Sequence, residues 1–418
     1  MTLSQFGTWL ALFCFGYPFV MAFYWMVGGL QFHWFRERNE PPFDEPPLLA
    51  EYPLVSILVP CFNEEAQARE TFEVLSRVQY PDFEVIAIND GSSDRTGALL
   101  EELSMRYERM RVVHLASNHG KSSALNAGAL AARGEILVCI DGDTLLDPFA
   151  VAWFVRRLQE NPLFGGVAGN PRIRNRSTLI GRLQVGEFSN IVGLIKRAQN
   201  VYGTLFTVSG CVCAFRKRAL QDAGWWNPSS ITDDVDVSWR LQLAGWLIGF
   251  EPKAMGWILT PETVRGLWRQ RVRWAEGGTL VVLRALPHLF QRRTIRIWPI
   301  WLNFVASVFW AYAMLTLVVI WLLELTGLWP HFELTGLSLI PREWGFVLAV
   351  TYIFQAFMSG TLDRKFEKHM FRAGYWVVWY PLAFWMLQAG AALVGLPRAL
   401  LRSPQSGGTW VSPDRGFR

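Results

Sequence analysis

Long apolar stretches lie toward both ends of the chain, on either side of a central segment with a different pattern. Four of them are long and apolar enough to cross a bilayer as helices, which takes about 20 residues each. They run from about Phe6 to Leu30, Trp298 to Leu323, Trp344 to Leu362 and Tyr375 to Leu396. The first has no charged residue and no A-x-A-like cleavage site, so it predicts a retained anchor rather than a signal peptide.

Basic residues beside these stretches predict which ends face the cytoplasm, because lysine and arginine are enriched in cytoplasmic loops. Arg36 and Arg38 follow the first stretch and the loop 363–374 is basic, whereas the loop 329–343 has a single arginine and no lysine. The basic residues of all three regions therefore predict that the central segment faces the cytoplasm. The C-terminal tail disagrees, because parity places its four arginines outside. Either the last stretch, which Pro381 interrupts, is re-entrant, or the short tail tolerates the opposite side.

Between Pro53 and Thr260 the pattern changes to short β-branched apolar runs that alternate with polar helical stretches. The apolar runs predict strands at 54–59, 84–88, 112–115 and 136–140, and the polar stretches predict helices at 64–77 and 95–106. This alternation is typical of an α/β fold, with a Rossmann-like, mostly parallel sheet covered by helices on both faces. Ligands of such sheets bind beyond the carboxyl ends of the strands.

Composition agrees with a membrane protein and argues against a nucleic-acid partner. Hydrophobic residues make up 51% of the chain and the formal net charge is only +5, while mean hydropathy is +0.18. A charge this small excludes a polycation that coats nucleic acid. The five cysteines show no paired CxxC spacing, and the apolar runs around Cys61 and Cys139 predict that these two are buried free thiols of a reducing compartment. Cys211 and Cys213 lack the further His or Cys ligands that a metal site needs.

The sharpest local signal is Asp141-Gly142-Asp143, directly after the fourth predicted strand. Two carboxylates two residues apart at a strand end point the same way, and the glycine allows a tight turn. Hard oxygen ligands of this kind suit Mg²⁺ or Mn²⁺, which keeps its other positions for water and phosphate oxygens. Such a cation neutralises a nucleotide-diphosphate leaving group. The alternative is an ordinary Asp-Gly turn.

Further polar residues fall at the same predicted edge of the sheet. Asn63 and Glu64 follow the first strand, and Asp90 ends the second, where a carboxylate can accept the donor of a uracil ring. Asp94 is interpreted as a cap of the next helix. Lys121 brings a cation to this edge, for uridine or phosphate, and the alternative is a solvated loop lysine.

A second acidic pair, Asp233-Asp234, opens a predicted helix that ends near Leu243, with Thr232 as its cap. Two acids in a first helical turn are ordinary partners of the helix dipole. The functional alternative has Asp234 take the proton from an acceptor hydroxyl that attacks an anomeric carbon. Asp233 then keeps the structural role.

Residues 270–274, Gln-Arg-Val-Arg-Trp, lie in a basic amphipathic stretch from Thr263 to about Arg296. The alternation of arginine with apolar residues predicts a helix along the membrane interface, which accounts for most of the stretch. An interface helix does not exclude that Arg273 binds a diphosphate bidentately or that Trp274 presents its ring to a sugar.

These motifs, in this order, resemble the processive membrane polysaccharide synthases of glycosyltransferase family 2. The resemblance rests on SILVPCFNE, INDGSSD, DGD, a TDD where the family has TED, and QRVRW matching Q-x-x-R-W. Within the family, Gly169–Gly203, VSGCVCAFRK, ETVRGLWRQRVRW and WVSPDRG are similar to the bacterial poly-β-1,6-N-acetyl-D-glucosamine synthases of biofilms. Two departures are Asp233 in place of Glu and one N-terminal membrane helix where the family often has two.

The resemblance implies a GT-A catalytic domain, UDP-N-acetylglucosamine as donor, Mg²⁺ or Mn²⁺, inversion at the anomeric carbon, and a polysaccharide that grows through the bacterial inner membrane. It also implies a small membrane partner subunit and control by cyclic di-GMP. The site residues it carries over are Asp234 with Asp233 for catalysis, Asn63, Glu64, Asp90, Lys121, Asp141, Asp143, Gln270 and Arg273 for the donor, Ser209, Gly210 and Trp274 for the acceptor, and Asp143 with Asp141 for the metal.

The predicted organisation is an anchor at 1–34, a linker at 35–52, a cytoplasmic GT-A domain at 53–262, interface helices at 263–297, three apolar membrane segments at 298–397 and a basic tail at 398–418. Three alternatives stay open at this point. The chain could make a cellulose- or hyaluronan-like polymer, or charge a lipid phosphate without processivity. It could also be a channel with a degenerate nucleotide-binding domain, although four separated acids together with QRVRW argue against that.

Overall fold

Eight strands form one mixed sheet within the part of the chain that the computed structural model describes, residues 3–326, 342–367 and 374–402. The strands are β1 (Val55–Cys61), β2 (Phe83–Asp90), β3 (Met110–Leu115), β4 (Ile136–Ile140), β5 (Leu145–Leu146), β6 (Phe164–Ile173), β7 (Val212–Arg216) and β8 (Leu247–Ile258). Their order across the sheet is β3-β2-β1-β4-β7-β6-β8-β5.

The first four strands pair in parallel, β1 with β2 and β4, and β2 with β3. The four strands predicted from the apolar runs are therefore confirmed. Beyond β4 the sheet becomes mixed, because β7 runs antiparallel to both β4 and β6, while β6 and β8 are parallel. The reversal at β7 was not predicted.

Thirteen α-helices accompany the sheet in the described residues. They are α1 (Leu3–Phe32), α2 (Ala68–Leu75), α3 (Thr96–Arg106), α4 (Lys121–Ala131), α5 (Ala150–Gln159), α6 (Leu179–Phe188), α7 (Lys196–Val201), α8 (Lys217–Asp222), α9 (Asp233–Leu243), α10 (Val264–Ala285), α11 (Trp298–Leu325), α12 (Arg342–Asp363) and α13 (Gly374–Leu401). The predicted helix at 64–77 is shorter, because residues 65–67 form a turn before α2 begins.

The sheet is buried on both faces, as its continuous apolar runs predict. Every residue of β1 and of β2 is buried. One face packs against a core that includes Phe72, Leu100 and Trp153. The other face packs against a core that includes Leu125 and Leu241. Because helices close both faces, the carboxyl edge of the parallel strands is where the sheet is open to ligands.

Within the described ranges, four helical segments are long and apolar enough to cross a membrane. They are Gln5–Glu37, Thr294–Leu323, Trp344–Asp363 and Phe384–Leu401, and they coincide with the four apolar stretches in the sequence. Most of the predicted outer loop near Trp329–Glu343 lies outside the described residues, because α12 begins at Arg342, and residues 368–373 of the loop after Asp363 also lie outside them. The last helix continues to Leu401, beyond the predicted end at Leu396, and the tail from 403 onward is likewise outside the described part.

The end of α13 packs against α10. Arg402 donates to Glu276 of α10 at 2.9 Å. Earlier on α13, a Cβ at Gly395 would lie only 2.7 Å from the Cβ of Ala275, so the glycine allows close contact between α13 and α10. This packing places the end of α13 beside α10.

The predicted linker packs against the domain that contains the sheet. Glu37, at the end of a short π-helical turn after α1, is buried and receives two hydrogen bonds from Arg197 of α7, at 2.9 and 3.0 Å. Glu40 forms an ion pair with Lys253 of β8 at 2.7 Å. Burial of paired charges fixes the geometry of a junction even when its net stabilisation is small.

The helix predicted to run to Arg296 ends at Ala285 and is followed by 3₁₀ turns at 286–288 and 292–297. Arg271, one of the arginines of the predicted interface helix, is buried against Glu187 of α6. The helix is therefore partly enclosed by protein, not only laid on a bilayer surface.

Candidate active site

Asp141-Gly142-Asp143 lies at the carboxyl end of β4, as predicted. The peptide passes so close to β1 that a Cβ at Gly142 would lie 3.1 Å from Cγ of Glu64 and 3.3 Å from the carbonyl oxygen of Pro60. The carbonyl of Gly142 also accepts a hydrogen bond from Thr71 at 2.8 Å. The glycine is thus required by close approach, and it places Asp143 in a buried position and Asp141 in a partly exposed one.

Lys121, the first residue of α4, joins three parts of the site. Its Nζ lies 2.5 Å from Oδ1 of Asp141, 3.6 Å from Oδ2 of Asp233 and 3.3 Å from the carbonyl oxygen of Gly210. Burial by itself would lower the pKa of Lys121, but the carboxylates of Asp141 and Asp233 raise it well above its usual value. Lys121 is therefore a charged residue of the site and not a solvated loop lysine.

Asp90 ends β2 and is fully buried. Its two carboxylate oxygens accept the backbone N–H groups of His119 and Gly120, each at 2.9 Å. These bonds hold the loop that enters α4, where Gly120 has φ of 86°. The sequence left Asp90 without a structural explanation, and this loop supplies one. Each oxygen keeps a further lone pair that could accept a second donor.

Asn63 and Glu64 follow β1 and shape the neighbouring loops. Asn63 has φ of 55°, and its side-chain oxygen accepts the backbone N–H of Ser93 at 2.9 Å. Glu64 is buried, and its backbone N–H donates to the hydroxyl of Thr96 at 2.8 Å. Asp94 accepts the N–H of Thr96 at 3.0 Å at the start of α3, as expected for a cap.

The two acids that open α9 have different surroundings. Asp234 is held by three donors: the hydroxyl of Thr207 at 3.0 Å, the N–H of Gly210 at 3.2 Å and the N–H of Val235 at 2.9 Å. Asp233 faces Lys121 instead. Burial, together with the neighbouring Asp234 and Asp141, raises the pKa of Asp233 above its usual value, although Lys121 opposes this shift.

Thr232 precedes α9, but the prediction that its side chain caps the helix is wrong. Its hydroxyl accepts no capping hydrogen bond and is a buried oxygen without a partner among the described residues. Gly277 of α10 explains the burial, because a Cβ there would lie 2.5 Å from the Thr232 hydroxyl. The side chain is thus enclosed by the helix that carries the QRVRW segment.

Ser209 and Gly210 form the loop before β7, and Ser209 has φ of 64°. Its hydroxyl accepts a hydrogen bond from the Nζ of Lys196 at 2.5 Å. Lys196 is only 2% exposed. Burial lowers the pKa of Lys196 to about 8, against partial opposition from nearby groups that include Asp234. The loop thus lies between a buried lysine and the carboxylate of Asp234.

The QRVRW segment lies in the second and third turns of α10, beside the start of α9. Arg273 donates to the carbonyl oxygen of Ile231 at 3.2 Å, in the loop that precedes Asp233. Gln270 is half-buried and Trp274 is 36% exposed. Arg273 is therefore at the rim of the acidic site, and the Trp274 ring has exposed surface for a ligand.

The carboxylates of the site suit a divalent cation, but the protein supplies only part of the coordination shell. No cluster of three or more His, Cys, Asp or Glu side chains in the described residues has metal-binding geometry. Asp141 and Asp143 provide hard oxygens but an incomplete shell. An incomplete carboxylate shell suits Mg²⁺ or Mn²⁺ that completes its coordination with water and substrate phosphates.

Sequence patterns missed several residues of this site. Lys196 directly follows the apolar residues 191–195, which is a weak sign of a buried charge, because Arg197, Gln199 and Asn200 make the sequence after it polar. Thr207 and the Arg271–Glu187 pair had no local signal, because their partners are distant along the chain.

Comparisons with known proteins agree with this geometry. Residues 53–277 match the family described as "Glycosyltransferase like family 2". The chain is 36% identical over 409 residues to a poly-beta-1,6-N-acetyl-D-glucosamine synthase of Staphylococcus epidermidis, covering 96% of this chain and 97% of the relative. It is 34% identical over 401 residues to the synthase of that name from Staphylococcus aureus strain COL, covering 96% and 97%.

Among solved structures, the chain is similar to a mannosyltransferase from Pyrobaculum calidifontis in complex with GDP-Man and Mn²⁺. The TM-score is 0.67 at 18% identity, over 96% of this chain and 99% of the other. This likeness shows a shared GT-A fold. On the family match and the full-length relatives, the chain belongs to glycosyltransferase family 2 and is a hexosyltransferase.

Proposed function

We propose that this glycosyltransferase polymerises N-acetylglucosamine from UDP-N-acetylglucosamine into a β-1,6-linked polysaccharide and moves the growing chain across the bacterial inner membrane. The observation that carries the proposal is the similarity to synthases of this polymer over 96% of the chain, a range that includes the candidate membrane helices. The proposal narrows the alternatives to one donor, one linkage and a processive reaction.

The donor binds at the carboxyl edge of β1, β2 and β4. Asp90, already holding the loop before α4, offers its remaining lone pairs to the uracil ring. Asn63 and Glu64 shape the wall on the β1 side. Lys121 supplies a fixed positive charge close to Asp141, and the diphosphate competes with Asp141 for contact with this charge.

The metal is assigned to the DGD segment. Asp143 and Asp141 would hold Mg²⁺ or Mn²⁺, and the bound cation supplies charge neutralisation for the departing UDP. Lys121 and Arg273 add cationic charge from the protein on two sides of the same acids. The diphosphate is thereby stabilised by groups that are already in place before reaction.

The acceptor is activated by Asp234. Asp233 faces Lys121 on the donor side, whereas Asp234 faces the loop of Ser209 and Gly210. Three hydrogen bonds fix the Asp234 carboxylate, so one oriented oxygen can take the proton from the acceptor 6-hydroxyl. The hydroxyl oxygen attacks the anomeric carbon as UDP leaves from the opposite face, which inverts that carbon and gives the β-linkage.

The remaining assignments concern the polymer and the membrane. Trp274 offers its ring to the terminal sugar, and Gln270 with Arg273 lines the diphosphate side. The catalytic domain faces the cytoplasm, and α13 re-enters on that side, as the Arg402–Glu276 pair supports. A small membrane partner and control by cyclic di-GMP stay predictions from the resemblance.

The experiment is UDP release from purified membranes, with UDP-N-acetylglucosamine, UDP-glucose and UDP-glucuronate compared in Mg²⁺ and in EDTA. The proposal predicts metal-dependent turnover of UDP-N-acetylglucosamine only. Asp234→Asn should lower transfer by at least about a hundredfold, as expected for loss of a general base, without loss of folded protein. Turnover of another donor would replace the assigned polymer, and full activity of Asp234→Asn would remove the assigned base.

A further inference from the structure

Arg271 is a buried cation on the helix that carries the QRVRW segment. It lies in α10, and its side chain is fully buried. Its Nη2 donates to Oε2 of Glu187, on α6, at 2.7 Å. Its Nε and Nη1 are buried without a hydrogen-bond partner among the described residues. Unsatisfied buried donors are costly, and a packed apolar residue would avoid that cost. The position is therefore not explained by stability alone.

The guanidinium stacks on Trp274. Cζ of Arg271 lies 4.4 Å from the centroid of the Trp274 ring, which is the distance of a cation–π contact. Trp274 remains 36% exposed, so the stack supports the ring and leaves other ring surface accessible. A planar guanidinium fixes the plane of an aromatic ring in a way that the compact ammonium of lysine does not.

The stack is anchored on both sides. Glu187 holds the guanidinium from α6. The residues after Trp274 are held by α13, because a Cβ at Gly395 would lie 2.7 Å from the Cβ of Ala275 and 2.8 Å from the backbone nitrogen of Glu276. The ring therefore lies in a closely packed part of the molecule, between α6 and the end of α13.

We propose that Arg271 is a positioning residue for the acceptor: anchored by Glu187, it sets the plane of the Trp274 ring on which the terminal sugar of the growing chain stacks. The inference rests on the proposed function, which places the acceptor at Trp274. It assigns Arg271 no contact with donor or metal. Loss of the stack should weaken acceptor use while donor binding and the reacting groups stay intact.

The test separates transfer from hydrolysis. UDP release and incorporation of labelled N-acetylglucosamine are measured in parallel, with a β-1,6-linked N-acetylglucosamine tetrasaccharide as acceptor. Arg271→Lys keeps the charge opposite Glu187 but removes the planar stack. It should raise the KM for the tetrasaccharide about tenfold, as expected for a misplaced substrate. It should also increase the share of UDP released by hydrolysis and leave the KM for UDP-N-acetylglucosamine unchanged.

Two further variants separate an effect on acceptor positioning from a folding defect. The double variant Arg271→Met with Glu187→Gln removes both buried charges together, and it should show the same acceptor defect. Arg38→Lys is the matched control, because Arg38 stacks on Trp34 at 4.5 Å on an exposed surface, and it should behave as wild type.

The outcomes distinguish failure of the positioning role of Arg271 from failure of the proposed function on which it rests. If Trp274→Ala raises the acceptor KM and Arg271→Lys does not, the positioning role is wrong and the acceptor assignment stands. If Trp274→Ala also leaves the acceptor KM unchanged, the acceptor assignment itself fails. Equal losses of hydrolysis and transfer in Arg271→Lys, with both KM values unchanged, would show a merely structural residue and overturn the inference.

Discussion

Lys196 is expected to destabilise the folded protein while it supports the site. Its side chain is buried, and among the described residues no carboxylate lies within ion-pair distance of its Nζ, which donates to the Ser209 hydroxyl. Burial lowers the pKa of Lys196 from 10.5 to about 8. At roughly 1.36 kcal/mol per pKa unit, the charged form costs about 3 kcal/mol of stability at neutral pH. Loss of one hydrogen bond costs about 1 kcal/mol, so Lys196→Met should be more stable by about 2 kcal/mol.

The lowered pKa of Lys196 also predicts how the stability difference between wild type and Lys196→Met changes with pH. Between about pH 8 and pH 10.5 the unfolded chain keeps the Lys196 proton that the folded protein has released. The unfolded state then binds more protons, so wild-type stability rises with pH across this window. The advantage of Lys196→Met is therefore complete below pH 8 and lost by pH 10.5. Above that, the variant should be the less stable protein by about 1 kcal/mol, the value of the missing hydrogen bond.

Stability is measured by thermal unfolding in detergent with EDTA, at pH 7 and at pH 10.5. Polymer synthesis is measured separately at pH 7 with Mg²⁺ and without EDTA. Lys196→Met should unfold at a higher temperature than wild type at pH 7 but not at pH 10.5, and it should synthesise less polymer because the Ser209 loop loses its support. Lys121→Met is the control of opposite sign, since neighbouring carboxylates raise the pKa of Lys121 and its charge stabilises the fold. A folded Lys196→Met that is less stable at pH 7 would refute the reasoning.

Three further outcomes follow from the site and its frame. Gly210→Ala would put a Cβ 3.0 Å from the Cβ of Asp234, so turnover should fall on the order of tenfold to a hundredfold while thermal unfolding stays near wild type. Asp363→Asn leaves Arg172 as an uncompensated buried charge, and unfolding measured in detergent should show a loss of about 3–5 kcal/mol. EDTA should abolish turnover until Mg²⁺ or Mn²⁺ is restored, and Asp143→Asn should raise the metal concentration for half-maximal rate; a wild-type titration curve would exclude Asp143 as a ligand.

The sequence predicted well what depends on local pattern. Continuous apolar runs predicted β1 to β4 and their parallel pairing, because strands buried on both faces need apolar residues at every position. The Asp141-Gly142-Asp143 turn followed from its place after such a run. The four apolar stretches matched the candidate membrane helices for the same reason, since length and lack of charge are local properties. The domain limits and the roles of the site residues stay predictions.

Features that depend on distant partners could not be predicted. Arg271 looked like one of several surface arginines, because its partner Glu187 lies 84 positions away. The structural role of Asp90 required the fold of the loop at His119 and Gly120. The reversal at β7 follows from a crossover that no local pattern marks. Charged groups in particular are placed by tertiary pairing, so their burial is visible only once both partners are in position.

The central claim is tested most directly by the product that the purified full-length protein makes from labelled UDP-N-acetylglucosamine and Mg²⁺. The account predicts long labelled polymer that a β-1,6-N-acetylglucosaminidase digests completely, and no polymer from Asp234→Asn. Polymer that resists this enzyme, or a single sugar added per acceptor, would contradict the assigned linkage or the assigned processivity.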